Sequence, residues 1–142
     1  PGVRLRDVLP LAEFIGSVNL FNGKIDKDEK DFVTIVCPAL PDPIYVAHGV
    51  TGFEGMDVAF ALRPEKIKIT KDEPDMPHNK AHGSIEDIAY FGSHSVYHVR
   101  LDGGMKLLCH FANRRRWDSE GFTWNDKVWV SWGDLEGVVL TS

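Results

Sequence analysis

The sequence predicts an all-β fold, a small barrel, and three observations carry that prediction. Apolar residues alternate with polar ones in short runs, glycine and proline breaks separate those runs at close spacing, and one short segment alone reads as helical. Closing such strands into a barrel removes the unpaired edges that an open sheet must defend.

Residues 1–10 have no clean periodicity and read as a connector. Leu9, Leu11, Phe14 and Ile15 form one short apolar helical face that Gly16 stops, and a segment of that length needs something to pack against. Residues 20–25 begin the strand-rich part, Lys27-Asp28-Glu29-Lys30-Asp31 reads as a solvated hairpin tip, and Phe32-Val33-Thr34-Ile35-Val36 is a strong strand. Pro38, Pro41 and Pro43 each lack an N–H, so that segment leaves the ladder.

Residues 44–47 form another short strand and residues 49–55 a turn. Residues 56–62 form a strand with Val58, Phe60 and Leu62 on one face. The opposite face holds Asp57, Ala59 and Ala61, whose small side chains suit close approach of another layer. Lys66-Ile67-Lys68-Ile69 alternates cleanly and predicts a half-buried strand after an Arg63-Pro64-Glu65 corner. Residues 70–80, with Asp72, Glu73 and Asp75 among Pro74 and Pro77, mark a boundary between sublobes 20–70 and 81–142.

Residues 83–90 and 95–101 flank a Phe91-Gly92-Ser93 tip, Asp102-Gly103-Gly104 supplies a tight turn, and residues 105–111 return as a strand. Tyr97, Val99 and Leu101 read as the core face. After Asn125-Asp126, Val128, Val130 and Trp132 share one side of a strand, and residues 137–140 close the domain.

Composition bounds the function. With 142 residues, 43% of them apolar and 26% charged, the chain can bury a real core. A net charge of -5 argues against a general nucleic-acid binder, which needs a basic face to displace counterions. Cys37 and Cys109 lie far apart among apolar neighbours and read as buried free thiols. No apolar run is long enough to span a bilayer, so any membrane contact is expected to run through a protein partner.

Catalytic motifs are missing. His94 and His98 sit four apart on a strand, not on a helix, with no glutamate general base beside His94, so no metal is expected. Cys109 and His110 point to opposite faces of a strand, and Ser93, His94 and Asp102 lack a nucleophile elbow. Asp26, Asp28, Glu29 and Asp31 read as solvated, as do Asp72, Glu73 and Asp75. Gly103-Gly104 lacks the spacing of a nucleotide loop. Two segments remain as candidates. Arg63, Pro64 and Glu65 read as a structural and regulatory corner, with Arg63 placed for a bidentate bond to a carboxylate. Arg114, Arg115, Arg116 and Trp117 read as a partner contact, with oligonucleotide binding as the weaker alternative.

At the corner a family becomes recognisable. Ala61-Leu62-Arg63-Pro64-Glu65-Lys66-Ile67 resembles the Arg-Pro-Glu signature of the regulatory domain that follows the nucleotide-binding domain in ATP-binding subunits of bacterial importers. Phe14-Ile15-Gly16-Ser17-Val18-Asn19 resembles their connector, and Tyr90-Phe91-Gly92 with Tyr97-His98-Val99-Arg100-Leu101 resembles the later half of the same domain. The sequence is most similar to spermidine/putrescine-type subunits.

The resemblance implies a TOBE-type, OB-like, MalK-like regulatory domain over residues 20–142, built from two interleaved lobes, behind a helical connector over residues 1–19. It implies a parent ATPase whose missing nucleotide-binding domain takes ATP and Mg2+, while this fragment takes no cofactor and is no enzyme. It also implies a second copy of the subunit, two permease subunits and a solute-binding protein as partners, at the cytoplasmic face of the membrane. Nucleic-acid binding and direct membrane insertion are not expected. A small-ligand-sensing module for polyamines or oxyanions is the alternative function.

Overall fold

The computed structural model describes residues 3–4, 18–112 and 122–141. Eleven strands form among these residues: β1 (Val3–Arg4), β2 (Asn19–Asp28), β3 (Val33–Val36), β4 (Ile44–Val46), β5 (Asp57–Leu62), β6 (Lys68–Thr70), β7 (Lys80–Phe91), β8 (His94–Leu101), β9 (Lys106–Ala112), β10 (Lys127–Ser131) and β11 (Gly137–Thr141). They make two sheets, ordered β1-β11-β5-β2-β3-β4 and β6-β10-β7-β8-β9. Every pairing is antiparallel except that of β1 with β11. The all-β, two-lobed architecture expected from the sequence is the one observed. The expected connector helix and Arg114, Arg115, Arg116 and Trp117 lie outside the described residues.

Alternation places the core. Phe21, Ile25, Val33, Ile35, Phe60 and Leu62 from the first sheet and Ile85, Val99, Leu101, Leu107, Val128 and Val130 from the second are all buried in one cluster. Phe21 bridges the halves, with its ring 6.1 Å from Phe60 and 5.6 Å from Trp132. Such aromatic contacts add roughly 1 kcal/mol beyond burial. The indole N–H of Trp132 is buried, with no hydrogen-bond partner among the described residues.

Two expectations need correction. The alternating segment after Arg63 is not a strand from Lys66 onward. Pro64–Lys66 forms a 3-10 turn, with Pro64 fixing φ at its start, and the strand begins at Lys68. The alternation survives as burial of Ile67 and Ile69. The acidic tip is also shorter than expected, because β2 runs on to Asp28 and pairs it with Val33.

The two halves are duplicates. Strands β2, β3, β4 and β5 hold the same relative places in the first sheet as β7, β8, β9 and β10 in the second, and β11 matches β6. The detail repeats as well. A bulge follows Ile25 in β2 and Ile85 in β7. The Gly55 N–H donates to the Ile25 carbonyl at 2.8 Å, and the Asn125 N–H to the Ile85 carbonyl at 2.7 Å. Gly55 and Asn125 both have positive φ, 87° and 70°.

Each half gives its last strand to the other. β6 follows β5 in the chain but pairs with β10, and β11 follows β10 but pairs with β5. The two halves therefore exchange one strand each, which interlocks the two sheets around their shared core.

Cys37 and Cys109 are both buried and free. Burial pushes the Cys109 thiol far above its usual range, and only a thiolate attacks efficiently. Native protein is therefore expected to leave Cys109 unlabelled by a thiol reagent until denaturant opens the sheets. Labelling of Cys109 in native buffer as fast as in denaturant would contradict this placement.

Candidate functional site

The two strand exchanges pass through two short corners that meet. Arg63-Pro64-Glu65-Lys66 joins β5 to β6 and closes with the Lys66 N–H on the Arg63 carbonyl at 3.0 Å. The second corner, between β10 and β11, closes in the same way, with the Glu136 N–H on the Gly133 carbonyl at 3.3 Å. Lys66 and Glu136, at corresponding positions, face each other at 3.7 Å.

Within this junction Pro64 is buried, while Arg63 and Glu65 point outward. Arg63 reaches Glu65 through a single nitrogen at 3.7 Å, with both side chains more than half exposed. That is one water-screened contact instead of the bidentate bond expected from sequence, and such pairs contribute under about 1 kcal/mol. The buried proline and the backbone bonds hold the corner, leaving the Arg63 and Glu65 side chains on the surface.

Two asparagines tie the sheets together; the sequence marks Asn19 only as part of the connector resemblance, and Asn79 not at all. Asn19 at the start of β2 donates from Nδ2 to the Leu108 carbonyl at 2.9 Å and accepts the Leu108 N–H at 2.8 Å. Asn79, just before β7, does the same to Tyr45 of β4, at 2.9 Å in each direction. Each amide thereby stands in for a neighbouring strand on the edge of the opposite sheet. The signal was present in the sequence: Asn19, Gly23 and Ile25 recur sixty residues later as Asn79, Gly83 and Ile85.

A small polar cluster surrounds Asn79. His78 Nε2 lies 2.7 Å from Asp134 Oδ1, its ring stacks on Tyr45 at 4.3 Å, and Asn79 Nδ2 donates to the same Asp134 oxygen at 3.2 Å. The sequence pattern held no cue for it, since His78 and Asp134 are distant in the chain. On the second sheet, Glu86 accepts from Arg100 at 2.6 Å and pairs with Lys106 at 3.1 Å. Arg100 first, and then Lys106, hold its carboxyl below the usual glutamate range.

Two of the concavities among the described residues lie apart from the corner residues. One is a cleft of about 220 Å3 whose lining includes Asp42, Glu73, Lys80, His82, Asp102 and Trp129. Glu73 there is paired with Lys80 at 2.7 Å and Asp102 with His82 at 2.8 Å. The other is an apolar groove of about 740 Å3 on the outward face of the first sheet, floored by Ala59 and Leu140.

The remaining sequence candidates do not assemble. His94 stacks on Phe91 at 5.2 Å and its ring lies 5.9 Å from that of His110. Among the described residues no group of three or more His, Cys, Asp or Glu side chains is placed to hold a metal ion. No helix among them is long and apolar enough to cross a membrane.

Comparison with known proteins agrees with this architecture. A family model described as the TOBE domain matches residues 60–140. The putrescine transport ATP-binding protein PotG of Escherichia coli (strain K12) is 38% identical over 130 residues, covering 92% of this chain and 34% of that protein. The spermidine/putrescine import ATP-binding protein PotA of Treponema pallidum is 29% identical over 140 residues, covering 92% of this chain and 37% of that one. The chain thus spans about a third of the length of the relatives it matches.

Among solved structures, the cytoplasmic molybdate-binding protein ModG, in a form with molybdate bound, superposes with a TM-score of 0.73. It is 12% identical and the match covers 87% of this chain and 96% of that one, a likeness of fold. The Arg-Pro-Glu corner, the paired sheets and the family match over residues 60–140 converge: this chain belongs to the TOBE domain family.

Proposed function

We propose that the chain is the C-terminal regulatory and dimer-stabilising domain of the ATP-binding subunit of a polyamine ABC importer. The observation that carries this reading is similarity along 92% of the chain to ATP-binding proteins of putrescine and spermidine import. ATP and Mg2+ belong to the nucleotide-binding domain ahead of this chain. The assembled importer adds a second copy of the subunit, two permease subunits and a solute-binding protein, and places the domain at the cytoplasmic membrane surface. Arg63, Glu65 and the Arg114-Arg115-Arg116-Trp117 segment are its contact candidates.

The mechanism is mechanical. A domain that keeps two ATPase cores together through their opening makes each re-encounter intramolecular, at an effective concentration on the order of millimolar. Its interlocked sheets suit that task, because a rigid body transmits a partner's displacement without absorbing it.

Removing this domain from the intact subunit is expected to weaken self-association in sedimentation and to lower ATPase activity and polyamine uptake. Unchanged association, hydrolysis and uptake would overturn the proposal.

A second reading is amine sensing. The cleft lined by Asp42, Glu73, Lys80, His82, Asp102 and Trp129 favours it over oxyanion sensing, since its three carboxylates outnumber its one lysine and stand with an aromatic ring. Calorimetry with spermidine and with molybdate separates these readings from a purely assembling domain.

A further inference from the structure

We infer that the outward face of the second sheet, around Arg100, Lys106 and Lys127, is a docking surface for an extended acidic segment of a protein partner. Lys106, Arg100, Ser84 and Lys127 lie side by side in one row of the ladder, across β9, β8, β7 and β10. The Arg100 and Lys106 side chains are 54% and 60% exposed, and Lys127 is exposed as well. Two aromatic side chains stand on the same face. Phe91 is 56% exposed and stacked on His94, and Trp124 is 49% exposed and donates its indole N–H to Asp87 at 3.3 Å.

The duplicated halves show that the fold itself does not ask for these residues. In ladder register Arg100 corresponds to Val36 and Lys127 to Asp57, since both pair with Ser84 as Val36 and Asp57 pair with Lys24. Trp124 precedes Asn125 as Glu54 precedes Gly55. Phe91 lies in an extension: β7 and β8 run on for three pairs beyond Ile88 and Tyr97, whereas the first hairpin turns after Asp28 and Val33. One scaffold therefore carries cations and aromatic rings where its duplicate carries a valine and two carboxylates. Inner packing demands the same of both halves, so it cannot account for the difference.

The chemistry of the face selects the occupant. Its own carboxylates are already engaged, Glu86 with Arg100 at 2.6 Å and Lys106 at 3.1 Å, and Asp87 with Trp124 and the Ile88 N–H. A partner's carboxylates add charge-assisted bonds to the Arg100 fork and the two lysines. Tryptophan and arginine are also among the side chains that most often anchor protein interfaces. An extended segment of about seven residues, at roughly 3.3 Å each, spans the face from Arg100 to His94. A nucleic acid fits less well, because a long polyanion meets the net charge of -5, whereas a short segment feels only the local row, charges being screened beyond about 8 Å. Arg100, Lys106, Lys127, Phe91 and Trp124 take no part in lining the cleft at Trp129, so the two surfaces are separate.

Titration of the 142-residue chain with a random copolymer of glutamate and tyrosine, followed by sedimentation, tests this. Binding is expected at low ionic strength, to weaken as salt rises, and to be about tenfold tighter than to polyglutamate, which brings no ring to Phe91 and Trp124. Arg100→Val and Lys127→Asp install the residues of the first half. Each is expected to weaken binding about tenfold and to leave the unfolding midpoint unchanged, as exposed positions allow. Lys30→Asp changes the net charge as much as Lys127→Asp but lies at the tip of the first hairpin, and is expected to leave binding unchanged. No binding of the copolymer would overturn the inference, as would an equal loss in Lys30→Asp or equally tight binding of a single-stranded oligonucleotide. Self-association of the chain that the same variants abolish would also overturn it, by assigning the face to a second copy. Should Arg100→Val unfold the chain, Lys127→Asp and the comparison of the two polymers still decide.

Discussion

Replacing Asn79 by alanine is expected to lower the unfolding free energy by about 4 kcal/mol, measured by urea denaturation, a large share of the stability of a domain this size. The amide satisfies the N–H and carbonyl of Tyr45 on the edge of β4. Leaving two part-buried backbone groups unpaired costs roughly 1–3 kcal/mol each. A further contribution comes from the backbone, because Asn79 has φ of 59°. Asparagine tolerates that left-handed conformation, whereas alanine adds roughly 1–2 kcal/mol of strain.

Two comparisons separate these causes. Asn79→Gly keeps the conformation and loses the amide, so it should be milder than Asn79→Ala by about 1 kcal/mol. Asn19→Ala loses the equivalent bonds to Leu108 from an ordinary strand conformation, and should cost about 3 kcal/mol. A loss below about 1 kcal/mol for both alanine variants would refute the bridging role of the amides.

The second large effect is expected at the repeated glycines. A Cβ on Gly23 would lie 2.3 Å from the Val36 carbonyl oxygen, and one on Gly83 would lie 2.4 Å from that of Arg100. In each case the obstacle is the backbone of the paired strand, next to the bulge that follows Ile25 or Ile85. A side chain could rotate away, but a ladder strand moves only by breaking its own hydrogen bonds. Gly23→Ala and Gly83→Ala are each expected to cost about 3 kcal/mol, and together to leave little folded protein at 37 °C. Circular dichroism melts showing both single variants within about 1 kcal/mol of the parent would contradict the close strand approach.

Much of the architecture was legible because strand burial has a period of two. Tyr97, Val99 and Leu101 could be assigned to the core from alternation alone, as could Val128, Val130 and Trp132. The turns were legible for a different reason. Gly104 and Asn125 occupy positive φ, which few other residues accept. Where a local rule competed with alternation, the reading slipped: Ile67 and Ile69 alternate with lysines, yet Pro64 imposed a 3-10 turn on the first part of that run.

The candidate site was legible only in part. Arg63-Pro64-Glu65 marked the family and the crossing between sheets, but Arg63 makes a single screened contact in place of the expected bidentate bond. Asn19 was legible only as part of the connector resemblance, not as a bridge between sheets, and Asn79 gave no signal of its own, because an asparagine beside a strand usually signals a turn. Their recurrence with Gly23 and Gly83 was the available cue.

By itself the sequence determined the all-β class, the inward face of most strands, the positions of the turns and the family signature. Each of these is written in local spacing or in a residue's own conformational limits. Only the tertiary structure decided which sheet each strand joins, that β6 and β11 change places between halves, and that two asparagines complete the opposite edges. Alternation specifies which side of a strand is buried but not which strand lies beside it. Partners far apart in the chain are chosen by the summed packing of both sheets.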